Sequence, residues 1–127
     1  TGGEPLRQPI ALLCEKLIAE GFQPQIETNG TLWRDLPTGV DIICSPKSAA
    51  MIRPDLLERI TAFKFVLAAG DAVPEVGQVS VKAPVWIQAM DEYDEAKNNA
   101  NLEHVLELAA REGYKVSIQT HKIAGID

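Results

Sequence analysis

The sequence predicts an α/β fold built on a mainly parallel sheet. Segments with apolar residues at three- and four-residue spacing alternate with short, β-branched apolar runs, the order of a sheet crossed by helices. Those runs are apolar nearly throughout, as strands are when both faces of a sheet are covered. Polar, reactive residues also gather after the strands, at the edge where parallel sheets bind ligands.

Residues 6–20 read as a helix, with Ile10, Leu13, Cys14, Leu17 and Ile18 on one face and Gly21 as its stop. Pro24 to Thr28 reads as a strand, followed by the turn signal Asn29-Gly30 and a short helical turn over 31–36. Val40 to Cys44 is a second strand, stopped by Ser45-Pro46. A helix over 54–61 starts on Pro54, which suits the first turn. Phe63 to Leu67 is a third strand, ended by Gly70-Asp71. Residues 71–83 read as loop, with an extended piece near Val79 to Val81. Pro84 to Gln88 is a fourth strand. A long helix over 94–112 turns Leu102, Val105, Leu106, Ala109 and Ala110 inward and stops at Gly113. Tyr114 to Gln119 is a fifth strand.

The 127 residues fit one domain, 1–127. Apolar residues at 46% and charged residues at 24% are ordinary globular usage, which excludes disordered and collagen-like classes. Apolar runs such as Phe65 to Ala69 fall far short of the ~20 residues of a membrane span. No charged and then apolar leader opens the chain. The net charge of −6 favours solubility and gives no basic footprint for nucleic acid. Cys14 and Cys44 have no CxxC-like partner and read as buried small hydrophobes in a reducing cytoplasm. The opening Thr1-Gly2-Gly3-Glu4-Pro5 is a turn-and-cap sequence, so a preceding segment is expected.

The polar clusters are Glu27-Thr28-Asn29-Gly30, Ser45-Pro46-Lys47, Gln88-Ala89-Met90-Asp91 and Gln119-Thr120-His121-Lys122, with Thr1 to Glu4 as a further one if a strand precedes it. Lys47, Asp91, Gln119 and His121 carry chemistry that a plain loop does not need. Gly2 and Gly3 permit close approach of a ligand to the backbone, and exposed main-chain groups there suit a small zwitterion. Other residues read more plainly. His104 is a solvated surface histidine, Trp33 and Trp86 pack, and the acidic run from Asp91 to Glu95 is a helix N-terminus. Glu27 either contacts a ribose hydroxyl or organises the Asn29-Gly30 turn. His121 either orders the C-terminal tail or stands at the substrate side.

GGEP, ETNGT, SPK, a Gln-x-Met-Asp element and QTHK succeed one another in an order and spacing that resembles the 7-carboxy-7-deazaguanine synthase family of radical S-adenosylmethionine (SAM) enzymes. The resemblance runs from Thr1 to Asp127. It implies a partial (β/α) barrel of the radical SAM type, of which this chain is the C-terminal part. The N-terminal strands and the three-cysteine cluster loop are then absent from this chain. It implies a lyase converting 6-carboxy-5,6,7,8-tetrahydropterin to 7-carboxy-7-deazaguanine, for queuosine and other 7-deazapurines. The implied cofactors are a [4Fe–4S] cluster, SAM and Mg2+. The implied partners are the pterin and an electron donor such as flavodoxin, in a cytoplasmic homodimer.

By position in the motifs, Gly3, Ser45, Pro46, Lys47, Gln88, Ala89, Met90 and Asp91 match SAM-binding residues. Thr1 and Asp127 match substrate-contacting ones, while Glu27 and His121 stand at the site edge. The family usually has proline where this chain has Ala89, which puts the rigidity of that loop in question. Cys14 on a helix and Cys44 in a strand are on the wrong elements for the cluster, so no metal is expected in this chain and the fragment alone is expected to be inactive. Two other readings remain. One is a glycyl-radical-enzyme activase of the same superfamily. The other is an inactive α/β fragment that self-associates through an unpaired strand edge. A doubly wound nucleotide fold lacks support, since no GxGxxG follows a strand.

Overall fold

The computed structural model describes residues 3–48, 52–74 and 83–126. Thr1, Asp127 and the extended piece expected near Val79 to Val81 lie outside them. A 3-10 turn at Pro5–Arg7 is followed by α1 (Ala11–Ala19), β1 (Gln25–Thr28), β2 (Asp41–Cys44), α2 (Pro54–Leu57), β3 (Ala62–Leu67), β4 (Val85–Ala89), α3 (Glu95–Glu112), β5 (Lys115–Val116) and α4 (Thr120–Ile123). The strands lie in the order β1-β2-β3-β4-β5. The β1–β2, β2–β3 and β4–β5 pairs are parallel, with Ile26 opposite Ile42, Cys44 opposite Phe63 and Ile87 opposite Val116. Sequential order is that of a singly wound (β/α) sheet; a doubly wound sheet reverses direction partway. The α/β expectation holds.

The chain divides into two compact units, Thr1–Lys64 with Pro74–Pro84, and Phe65–Val73 with Val85–Asp127.

In the first unit, Ile26 and Thr28 of β1 and Ile42 and Cys44 of β2 alternate onto one buried face. Leu6, Cys14, Leu56, Ile60 and Phe63 complete that core. The expectation of strands covered on both faces fails for β1, where Gln25 and Glu27 are exposed. Lys64 reaches Glu27 there at 3.1 Å. The helix expected over 6–20 is broken in two. Pro9 forces Gln8 into extended backbone, ψ 152, so α1 restarts at Ala11. Of its expected inner face, Cys14 is buried, whereas Leu13 is 57% exposed. Residues 31–36 form no helix. Arg34 there ties down the opening turn, donating to the Leu6 carbonyl at 2.6 Å and the Arg7 carbonyl at 2.9 Å. The α2 helix stops at Leu57, short of the expected residue 61, as the chain turns into β3. Thr61 then meets Ile42, its hydroxyl accepting the Ile42 N–H at 2.9 Å.

In the second unit, α3 has the expected ends: Asp94 caps it by accepting from the Lys97 N–H, and Gly113 closes it at φ 76. Its inner stripe is rotated from the expected one. Asn101, Val105, Leu108 and Ala109 are buried, while Leu102, Leu106 and Ala110 are exposed. A polar residue leads the stripe because its amide finds partners there. The strand expected over 114–119 is paired only at Lys115–Val116, and α4 follows.

Gly30 is a glycine the first unit requires on two counts. Its φ is +83, and a Cβ there would sit 2.9 Å from the Cys44 sulfur. Gly30→Ala is expected to lower unfolding stability by about 1–3 kcal/mol. Urea denaturation of both forms checks this; equal midpoints refute it.

Candidate functional site

Two hollows open at the carboxyl ends of strands, one in each unit. The first, about 260 Å³, is lined by Gly3, Glu4, Pro5, Glu27, Thr28, Asn29 and Ser45. Its frame is the Glu4 carboxylate. One oxygen accepts the Leu6 N–H at 3.2 Å and the Thr28 hydroxyl at 2.7 Å, and the other accepts the Asn29 N–H at 2.9 Å. The Thr28 hydroxyl in turn accepts the Gly30 N–H at 3.2 Å. Asn29 folds back on Thr31, its carbonyl oxygen 2.9 Å from the Thr31 amide nitrogen. The Ser45 N–H donates to the Thr28 carbonyl at 2.7 Å, joining the ends of β1 and β2.

The sequence marks Glu4 only as an acid before a helix; its tie to Thr28 and Asn29 has no local signal. The turn at Asn29-Gly30 is held by Glu4 and not by Glu27, whose carboxylate pairs with Lys64. Gly3 lines the hollow, and a Cβ there would meet nothing within 4 Å. The packing of the chain therefore does not demand this glycine. Beyond Ser45, Pro46 is buried and Lys47 exposed.

The second hollow, about 300 Å³, brings together Gln88 to Asp91 at the end of β4, Asn98 and Leu102 of α3, and Ser117, Gln119 and Lys122 after β5. Asp91 is bound on both oxygens. One accepts the Asn98 amide at 2.8 Å and the Tyr93 N–H at 2.9 Å, and the other accepts the Lys122 ammonium. Lys122 first, then the Tyr93 N–H and Asn98, hold the Asp91 carboxyl down at about 2. Lys122 also lies 5.9 Å from the Tyr93 ring centre. The Ser117 hydroxyl donates to Gln88 at 3.3 Å. In sequence Lys122 is only the end of QTHK; its partner lies in another strand-end motif.

His121 is exposed on α4, where its carbonyl accepts the Ile126 N–H at 2.9 Å. The tail is thus ordered through the backbone of His121. His104 is not a solvated surface residue: it is half-buried, and its Nε2 lies 2.8 Å from the Asp71 carbonyl, to which it donates. Each tryptophan packs beside a cation, Arg59 at 5.5 Å from the Trp33 ring centre and Lys115 at 5.2 Å from that of Trp86.

A [4Fe–4S] cluster needs several thiolates. The sequence holds two cysteines, both buried. Burial, then the charge of Glu4, pushes the Cys44 thiol up to about 12, and burial raises that of Cys14. Thiols held protonated are poor ligands. Among the described residues, no three His, Cys, Asp or Glu side chains gather as a metal site. The residues of this chain do not fit the cluster. In the first hollow the exposed main chain at Gly3 suits the amino-acid end of SAM, while Glu4 is engaged by internal donors and Glu27 by Lys64.

No family model matches the chain. The 7-carboxy-7-deazaguanine synthase of Rickettsia prowazekii is 49% identical to it, over 100% of this chain and 58% of the relative. That of Rhodospirillum rubrum is 39% identical, over 99% of this chain and 63% of the relative. Along its whole length the chain is similar to proteins named 7-carboxy-7-deazaguanine synthase. It spans less than two thirds of the length of these relatives. The crystal structure of QueE from Escherichia coli shares the fold, with a TM-score of 0.67 at 20% identity, over 94% of this chain and 54% of that one. Among the described residues, no helix is long and apolar enough to cross a membrane.

The Asp91 carboxyl is depressed in the folded state, so its contribution to stability is present above its ordinary pKa of 3.8 and is lost as pH falls toward about 2. The stability gap between the wild type and Asp91→Asn is expected to narrow over that window. Urea midpoints taken at several pH values check it; a gap independent of pH rejects the arrangement around Asp91.

Proposed function

We propose that this chain supplies SAM- and substrate-contacting residues to a radical SAM lyase that converts 6-carboxy-5,6,7,8-tetrahydropterin to 7-carboxy-7-deazaguanine, for queuosine and related 7-deazapurines. The observation that carries this is the 49% identity, along the whole chain, to a protein named for that synthesis. The first hollow supports the SAM part. Its wall carries the carboxylates of Glu4 and Glu27 and open backbone at Gly3. With Glu27 offset by Lys64, the Glu4 charge is the one that attracts the ammonium of a methionine group.

On this reading the main chain at Gly3 binds the amino-acid end of SAM. Ser45, Pro46, Lys47, Gln88, Ala89, Met90 and Asp91 contact the rest, and Thr1 and Asp127 reach the pterin. Glu4 touches the ligand little, since its oxygens are already engaged; it fixes the turn that presents Gly3. Glu27 and His121 stay at the edge. The iron–sulfur cluster, which supplies the electron for SAM cleavage, is held by residues other than Cys14 and Cys44, and Mg2+ by residues other than those described. An electron donor such as flavodoxin, a cytoplasmic setting and a homodimer complete the proposal.

The intact, anaerobically reconstituted protein is expected to form 7-carboxy-7-deazaguanine from the pterin and SAM, read by mass spectrometry. A protein that cleaves SAM but leaves the pterin unchanged refutes the synthase reading. Gly3→Val, placed where the chain has open space, is expected to keep the melting temperature and raise KM for SAM roughly tenfold. An unchanged KM removes Gly3 from the site.

A further inference from the structure

Asn101 is an anomaly of composition. It sits within α3 on the stripe of Val105, Leu108 and Ala109, and it is 1% exposed. Asparagine is a poor helix former, and a buried amide is costly unless every polar atom is bonded. An aliphatic side chain of similar size would fill the stripe without that cost. What Asn101 adds is polar: its oxygen accepts the Ala69 N–H at 2.7 Å, and its nitrogen donates to the Met90 carbonyl at 3.0 Å and to Glu92 at 3.1 Å. One side chain therefore fixes the turn after β3 and the turn after β4. Asn98, one helical turn earlier, adds a second tie, accepting the Glu92 N–H and donating to Asp91, both at 2.8 Å.

These ties fall on a stretch that needs them. Ala89 lacks the fixed φ of a proline, and Tyr93 holds a positive φ of 57, a conformation that a non-glycine residue keeps only under constraint. We infer that Asn101 is a positioning residue for SAM, holding the Met90 carbonyl and, with Asn98, the Asp91 carboxylate in place from the helix side. The inference rests on the proposed assignment of Gln88 to Asp91 to SAM.

The test uses the intact, cluster-loaded enzyme. Asn101→Leu keeps the branched skeleton of the side chain, with somewhat greater bulk, and removes all three bonds. Asn101→Asp keeps an acceptor for Ala69 and loses both donors. Val105→Ala loosens the same stripe without touching either turn. Both Asn101 variants are expected to raise amide exchange over residues 88–93 without SAM, and to raise KM for SAM roughly tenfold with kcat at saturating SAM within about twofold. Val105→Ala is expected to leave that KM unchanged. If the wild type shows SAM protection over 88–91 but neither Asn101 variant changes KM, the positioning role is overturned. An equal rise in Val105→Ala also overturns it, since general loosening then suffices. If SAM gives the wild type no protection there, the assignment of that stretch to SAM falls instead, while the exchange rates of the unliganded variants still decide whether Asn101 holds the turn.

Discussion

The Glu4 carboxylate accepts three hydrogen bonds, from the backbone of its own turn, from a side chain at the end of β1 and from the backbone just beyond it. A charged acceptor makes such bonds stronger than a neutral one would. The same carboxylate sets the course of the chain after β1. The Thr28 hydroxyl donates to Glu4 and accepts from Gly30, so the turn there has one allowed path. That path brings Gly30 against the Cys44 sulfur and lets its carbonyl accept the Arg53 N–H at 2.9 Å. Thr28 and Asn29 therefore line one hollow with Gly3 because a single carboxylate ties the two turns together, and Ser45 joins them through the Thr28 carbonyl.

The second unit solves the same problem with amides. Asn98 and Asn101 project from a helix that a cap and a left-handed glycine hold at both ends. A helix is a stiffer support than a loop, so bonds made from it transfer that stiffness to the turn they grip. The rotated stripe of α3 has the same origin. Hydrophobicity alone favours Leu102 and Leu106 inside; the bonds of Asn101 favour the face that contains it. Polar satisfaction, together with Val105 and Leu108, decides the outcome.

This contrast shows where the sequence is legible. The order of strands and helices is readable because it rests on local periods. Asn29-Gly30 and Gly113 are readable because left-handed backbone needs particular residues. The break at Pro9 is equally local, but the apolar period running through it masks it. By contrast, Glu4 binds Thr28 across 24 positions and Lys122 binds Asp91 across 31, and no window of sequence contains such pairs. The motifs mark where the hollows lie. They do not say which of their side chains are committed to the scaffold.

That commitment bears on how each hollow recognises a ligand. In the first, the Glu4 oxygens are taken up by internal donors; in the second, those of Asp91 are. Neither carboxylate has to release a bond for its charge to act, since charge acts through space and a hydrogen bond does not. Glu4 can therefore bias its hollow toward a cation while remaining part of the frame, whereas Asp91 carries its own counter-charge in Lys122. Directional contacts then fall to other groups, above all the exposed main chain at Gly3. Recognition divided in this way separates two kinds of residue that a motif sets side by side: those whose loss reshapes the hollow, as with Glu4, and those whose enlargement only fills it, as with Gly3.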